Sequence, residues 1–462
     1  MKYVSYKCSK WFGLRSLSRT RSALQVVSPS VKIRIPGWQH TRWLGLFGRL
    51  MLVVMVGKPA FGASPQAAVA NHASSRTWKV SLSAAIKETY DSNVYLQSET
   101  LLADRASFVT SLLPQLGVGW QPDVAFGLTV NYTPEIVLFH SESSEDFAAH
   151  RANLLLAGKL GNTKYEARTS LVFIDGSSSS PIWTGPGGAP ATGGPAVRDR
   201  RDAAVYRTSL FVTQDLGRWF VRPTASFYLH DFQTDHRAAA GYQNYVDRDE
   251  VTGGLDLGVT VTKKLLIWGG YRYGIQDQAK LLAFPEEYDN TFQRVLLGTE
   301  GELAKWCKVA ILVGPEFRHY DNKVPATFGD RSRALLYVDA SAVFIPTTAD
   351  TVTLSVKRFE QPGFGGRSTY DDLTYDVSWK HKFGPAWTVG VGGRAYNTDF
   401  LAPVVRNDWI ISGNSFINYA FDTRWNAEVS YVYENGQTRT ANASGREYER
   451  HLIAIGFKCT FH

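Results

Sequence analysis

From residue 78 to the end of the chain, apolar residues recur at every second position in stretches of roughly ten residues. Segment 373–380 reads LTYDVSWK, and segment 425–433 reads WNAEVSYVY. A period of two is the signature of a β-strand whose two faces meet different surroundings. The pattern therefore predicts a chain built almost entirely from β-strands.

Short and long connections alternate between these strands. Eight short turns are predicted at 117–123, 161–164, 215–219, 262–265, 302–306, 346–350, 382–386 and 421–425. Most of them contain the Gly, Pro, Asp or Asn expected of tight turns. The other connections are longer and polar, and one of them, 176–195, has 14 Gly, Pro or Ser residues among its 20, which predicts a flexible loop. This asymmetry is typical of bacterial outer-membrane barrels.

The turns also set the number of strands. Eight turns join sixteen strands, and one further strand at each end, near 78–90 and 447–461, makes eighteen. We therefore predict an all-β fold over 78–462, a transmembrane antiparallel up-and-down β-barrel of about 18 strands, with short periplasmic turns and long extracellular loops. An error of one hairpin would make 16. A soluble sandwich also alternates, but here the second face carries many small residues and scattered charges, which suits a wet lumen.

Aromatic residues stand where strands meet the short turns. The predicted interface aromatics are Trp78, Trp219, Trp306, Trp387, Trp425 and Phe461. Outer-membrane barrels place such rings at the lipid–water interface. The last strand, 453–461, has its odd positions apolar, and we expect it to close the barrel by pairing antiparallel with 78–88.

Composition agrees with strands rather than helices as the membrane-crossing elements. The mean hydropathy is −0.19, and no run of 18 apolar residues occurs in the sequence. The net charge of +8 comes from residues 1–63, which hold eleven Lys and Arg and no acidic residue, so that 8 − 11 leaves −3 for the rest. We therefore expect no nucleic-acid partner.

The N-terminal region has the order of an export signal. A basic region precedes the apolar stretch 43–56, and small residues follow it. This order predicts that 1–63 is a basic region and signal peptide, with cleavage near 63 or 70. The alternative is an uncleaved anchor helix, but the apolar stretch is too short to span a bilayer.

Little in the sequence points to catalysis or to metal binding. The motifs GxSxG, HExxH, GxxxxGK[ST] and paired CxxC are absent. We predict no enzyme activity, no catalytic residue, no metal site and no cofactor. Cys307 and Cys459 are predicted to be free, lipid-facing thiols. Acidic loop segments near 142–146 and 286–289 are more simply solvated than bridged by divalent cations to lipopolysaccharide.

Charged side chains on the inward face carry the remaining functional signal. The predicted lumen charges are Arg151, Lys159, Arg207, Arg222, Lys308, Lys357, Lys380, Arg394, Asp256, Glu300, Glu302, Asp339, Asp376 and Glu428. A ring of one sign would set ion preference in a pore. Because both signs are present, the set predicts weak selectivity, ion pairs that brace or block the lumen, or simply a hydrated wall.

The segment AAIKETYDSNVYLQ, residues 84–97, resembles the start of the mature part of putative outer-membrane β-barrel porins of bacteria. The shared motif is Tyr-Asp-x-Asn-[Val/Ile]-[Tyr/Phe]-Leu over 90–96. The resemblance implies an outer-membrane barrel, in some cases associated with exopolysaccharide or surface-protein systems, and no catalytic residues. Barrels of this kind usually end on an aromatic residue, whereas here His462 follows Phe461.

Two functions follow as hypotheses. The first is a porin-like passive channel for small polar solutes, located in the bacterial outer membrane after export. The second is a structural or docking barrel whose lumen is filled and whose long loops bind a surface polymer or partner proteins. In both cases we expect contact with outer-membrane lipid and lipopolysaccharide, and with the outer-membrane assembly machinery. The oligomeric state stays open.

Overall fold

The computed structural model describes residues 78–94, 96, 106–176, 203–232, 247–279, 287–362, 369–401, 406–439 and 447–461. The predicted signal peptide and all but the first residue of loop 176–195 lie outside the described residues. No helix in the described part of the chain is long and apolar enough to cross a membrane.

Nineteen strand segments make up the fold. They are β1 Lys79–Asp91, β2 Ser107–Trp120, β3 Gly127–Tyr132, β4 Glu135–Phe139, β5 Phe147–Leu160, β6 Thr163–Gly176, β7 Ala203–Leu216, β8 Trp219–Phe232, β9 Arg248–Thr262, β10 Leu265–Gln278, β11 Asn290–Ala304, β12 Cys307–Tyr320, β13 Ser332–Phe344, β14 Asp350–Pro362, β15 Thr369–Phe383, β16 Trp387–Phe400, β17 Arg406–Ala420, β18 Trp425–Thr438 and β19 Tyr448–Phe461. Two short 3₁₀ helices, Ser143–Glu145 and Ala326–Phe328, lie in connections.

The segments form one closed antiparallel sheet with eighteen positions. Strands β3 and β4 share one position, because both pair with β2 on one side and with β5 on the other. The break between them falls at Thr133 and Pro134, and Pro cannot donate a ladder hydrogen bond. The prediction of an 18-strand barrel is therefore confirmed.

The first and last strands close the barrel as predicted. β1 pairs with β19, with Leu82 opposite Phe461, Ala84 opposite Cys459 and Ile86 opposite Phe457. Closure leaves neither strand with a free edge, which lipid could not satisfy.

The eight short turns lie where the sequence predicts them, with one correction. β2 continues to Trp120, so the first connection covers 121–126 and the predicted range 117–123 begins too early. Gly117 and Gly119 continue the ladder with β1 and are not turn residues. Among the tightest turns, Gly161 and Gly217 have φ of 67° and 76°, a left-handed conformation that glycine adopts without strain.

The two faces of the wall are chemically distinct. Large apolar side chains at alternate positions of most strands are exposed on the outer face, for example Val80, Leu257 and Leu297. On the inner face, Phe220, Trp268, Leu296, Tyr337 and Phe359, which come from five strands, form one buried cluster. The core of the molecule therefore lies within the barrel.

Both cysteines of the described chain are free thiols. Cys459 lies on the outer face at a position that alternates with the inward Lys458. Cys307 shares the outward alternation of Ile311 but is only 3% exposed, beside the stacked rings of Trp306 and Phe344. Its thiol is covered by protein, so the prediction that this thiol faces lipid is wrong.

Candidate functional site in the barrel lumen

A contact across the barrel identifies the lumen face. The guanidinium of Arg248 on β9 donates to the amide oxygen of Gln361 on β14 over 3.2 Å. Four strands separate β9 from β14 in the wall, so both side chains must point inward. Because directly paired residues share a face, the register carries this assignment from strand to strand around the closed sheet.

All fourteen charges named from the sequence lie at positions on this inward face. Their surroundings differ. Asp256 and Arg222 are buried, whereas Lys159, Lys380, Arg394 and Glu428 are exposed within the barrel. The lumen charges therefore divide into a packed group and a solvated group.

Ion pairs join charges of both groups, most of them between neighbouring strands. Arg222 contacts the carboxylates of Asp256 over 2.9 Å and of Glu300 over 2.6 Å. Further pairs join Arg151 with Glu135, Lys264 with Glu302, Lys357 with Asp339 and Arg394 with Asp376. Opposite charges face each other in each of these pairs, so the pairs brace the wall and do not form a ring of one sign.

One wall of the lumen carries a row of arginines that the sequence analysis largely missed. Seven consecutive strands, β7 to β13, each place one arginine inward: Arg207, Arg222, Arg248, Arg272, Arg294, Arg318 and Arg333. Only the first two were named beforehand. The signal that could have found the others is the same alternation, followed along the full length of each strand.

The fifth and sixth arginines of this row hold a fully buried carboxylate. Glu316 accepts from Arg318 over 2.8 Å and from Arg294. Arg318 also donates to Gln276 over 2.8 Å and to Asn290 over 3.1 Å. A buried charge tolerates the loss of water only when it is paired and hydrogen-bonded in this way. This side of the lumen is therefore filled by a polar network.

Aromatic rings lie between arginines that are two strands apart in the row. The Tyr228 ring lies 5.1 Å from the guanidinium of Arg207 and 5.2 Å from that of Arg248. The Trp268 ring lies 4.8 Å from Arg222 and 5.8 Å from Arg272. Stacking over ring faces offsets part of the repulsion between like charges.

The segment that follows β1, which carries the Tyr-Asp-x-Asn motif, lies inside the barrel mouth. Asp91 accepts from Arg450 of β19 over 2.5 and 3.0 Å. Asn93 donates to the backbone oxygen of Glu449 over 2.9 Å. Val94 packs against a cluster on β2 and β4, and Leu96 packs against residues of β16, β17 and β19. The motif thus extends the β1–β19 seam beyond the last backbone pair.

The predicted interface aromatics all lie on or beside the ends of strands at the short turns. Their exposed fractions run from 48% for Trp387 to 63% for Trp219. Trp78 stacks on Trp120 with ring centroids 5.2 Å apart, and Trp387 lies 4.5 Å from Tyr419. They form an outward aromatic band on the short-turn side.

A scan against protein-family models gives no match, and a search of curated protein sequences gives none either. Among solved structures, the chain is similar to the outer membrane protein OpdK of Pseudomonas aeruginosa, with 9% identity over 83% of this chain and 99% of that one and a TM-score of 0.42. It is also similar to OccAB4 of Acinetobacter baumannii (13%, 83% and 98%, TM-score 0.40) and to a BenF-like porin of Pseudomonas fluorescens Pf-5 (8%, 83% and 99%, TM-score 0.41).

Proposed function

We propose that this protein is a passive channel for small polar solutes across the bacterial outer membrane. The observation that carries the proposal is the closed 18-position barrel with an apolar outer face and a charged inner face. Barrels of 16–18 strands are wide enough to leave an aqueous channel. This proposal includes the export signal, the contacts with lipid and lipopolysaccharide, and the help of the assembly machinery.

Conduction through the barrel would follow the wall that lacks the dense arginine network. There the inward side chains of Lys380, Arg394 and Glu428 are exposed. Exposed charges of both signs would be hydrated and would discriminate weakly between anions and cations.

Planar-bilayer recording of the purified protein tests the proposal. We expect ohmic current steps with a reversal potential close to zero in a KCl gradient. Absence of steps from a protein whose folded, inserted state is verified by heat-modifiability would contradict a channel.

A docking barrel is the second candidate function. It is favoured by the buried network around Glu316, which fills one side of the lumen without needing a solute path. In that case the long loops would bind a surface polymer or a partner protein. Deleting residues 178–194 should then abolish partner capture while the barrel still folds and inserts, and capture by the deleted form would count against it.

A further inference from the structure

The wall of the barrel is incomplete between β13 and β14. Within the described residues, the ladder between them ends at the pair Val338–Arg358. β13 nevertheless begins at Ser332, where it still pairs with β12, and β14 continues to Pro362, where it still pairs with β15. The β14 tip, which we define as Phe359–Pro362, therefore leaves its neighbour at Arg358.

The β14 tip lies in the lumen against side chains of strands β9 to β13. Gln361 accepts from Arg248 of β9 over 3.2 Å and donates to Asp372 over 2.9 Å. Only a cavity of about 10 Å³ is left between the tip and the wall around Tyr228, about the room of one water molecule. The tip thus fills the space in front of the arginine row.

The first two residues of the tip contribute further contacts. Phe359 joins the buried cluster of Trp268 and Tyr337. Glu360 accepts from the hydroxyl of Tyr320 and lies 3.4 Å from Arg333. By alternation Glu360 would point outward, yet its side chain is fully buried, because the tip has turned away from the wall.

Among the residues that the structure describes, none pairs with the β14 side of β13 over residues 332–337. An exposed strand edge is a template for another strand. Continuing the register of Val338–Arg358 by three residues would place Leu335 opposite Gln361. In this register the four residues of the β14 tip would therefore lie opposite residues 334–337, four of the six positions.

We propose that the β14 tip is a gate that exchanges between the lumen position described here and a wall position in which it completes the ladder with β13. This inference rests on the proposed channel function. In the lumen, the tip is held by Arg248, Tyr320 and the aromatic cluster. In the wall, its backbone gains hydrogen bonds to β13 and leaves the pore, and Glu360 turns outward as alternation requires. A solute pathway along the arginine row opens only in the wall position.

Cysteine cross-linking tests the wall position directly. In a background with Cys8, Cys307 and Cys459 replaced by Ala, the pair Leu335→Cys/Gln361→Cys reports on it. Residues opposite each other in an antiparallel ladder have Cα atoms about 4.5–5.5 Å apart, within the range of a disulfide. The control Val343→Cys/Thr353→Cys lies on the same two strands and the same face, where the ladder is intact.

We expect both pairs to cross-link upon oxidation of the inserted protein. The disulfide at 335 and 361 should raise single-channel conductance severalfold, and reduction should reverse this. The single variant Gln361→Cys separates the effect of the cross-link from loss of the Gln361 contacts.

Three outcomes overturn the gate. They are failure of the 335/361 pair to cross-link while the control pair does, cross-linking with unchanged conductance, and a conductance rise of equal size in Gln361→Cys alone. Cross-linking in a protein that never conducts in any form would refute the channel, and with it gating, but would establish the strand exchange. Failure of the gate and failure of the channel are thus distinguishable.

Discussion

At the scale of single residues, a buried ion pair joins the first and last strands at the end of their ladder. The side chains of Asp91 and Arg450 are 2% and 10% exposed and meet over 2.5 Å. Asp91 also accepts from the backbone N–H of Asn93 over 2.9 Å. The Asp and Asn of the motif, which the sequence offered only as a family resemblance, therefore have a physical role in closing the mouth of the barrel.

Replacing Asp91 by Ala should destabilise the barrel by about 3–5 kcal/mol, because Arg450 would be left buried without its main partner. Glu434→Ala is the matched control, since Glu434 meets the same guanidinium over 3.4 Å and is more exposed. Urea unfolding followed by heat-modifiability measures both free energies. Equal losses in the two variants would contradict the assignment.

Some glycines on the inner face of the barrel leave room for the aromatic rings that cover them. A Cβ added at Gly274 would lie 2.1 Å from the Phe292 ring, whereas one added at Gly253 on the neighbouring strand would meet nothing within 4 Å. Gly274→Ala should therefore cost about 1–3 kcal/mol through overpacking. Gly253→Ala should leave the unfolding free energy unchanged or slightly higher, and a reversed order would refute the packing argument.

At the scale of elements, the last strand combines closure with an aromatic end. Phe461 is 50% exposed on the outer face and pairs with Leu82. We expect Phe461→Ala to slow membrane assembly more than deletion of His462 does, because the ring belongs to the interfacial band. The appearance of the heat-modifiable form over time measures assembly. Equal rates for Phe461→Ala and the unmodified protein would show that the ring is not needed.

The connection 321–331 is a second element held by charges. Lys323 donates to Asp289 over 3.0 Å and to Glu287, and hydrogen bonds to these carboxylates raise its pKa. Because its pKa is raised, Lys323 keeps its stabilising charge at neutral and mildly alkaline pH. The charge is lost only as the pH rises through the folded-state pKa.

Lys323→Met should therefore increase protease cleavage within 321–331 at neutral pH while the barrel stays folded. Lys263→Met, in an exposed short turn, serves as the control. The unmodified protein should show the same increase only in strongly alkaline buffer. Unchanged cleavage of Lys323→Met would mean that the Tyr288, Tyr320 and Phe328 cluster alone holds the loop.

At the scale of the whole molecule, the lumen is asymmetric. Strands β7 to β13 present the packed arginine row, while Lys159, Lys380, Arg394 and Glu428 are exposed elsewhere on the inner wall. While the β14 tip occupies its lumen position, any ion path would run along these exposed charges.

Lys380→Glu should shift the reversal potential in a KCl gradient toward cation selectivity, because an exposed lumen charge acts on passing ions within about one Debye length, roughly 10 Å at 0.1 M salt. Lys263→Glu makes the same charge change in an exposed turn and should have a smaller effect. A shift of equal size in both variants would place the effect outside the lumen.

The sequence by itself determined the strands, the position of nearly every turn, the closure of the barrel and the face on which each predicted charge lies. These features follow from local alternation, which a wall between lipid and lumen imposes on every strand. The first turn was misplaced, since Gly117 and Gly119 can continue a ladder as readily as end one.

Only the tertiary structure decided which charges are buried, that the arginines of β7 to β13 pack with aromatic rings and carboxylates, and that the β14 tip leaves the wall. Exposure in the lumen depends on contacts between strands far apart in the sequence, such as Arg248 with Gln361. Alternation reports which way a side chain points, but it carries no information on what it meets across the barrel.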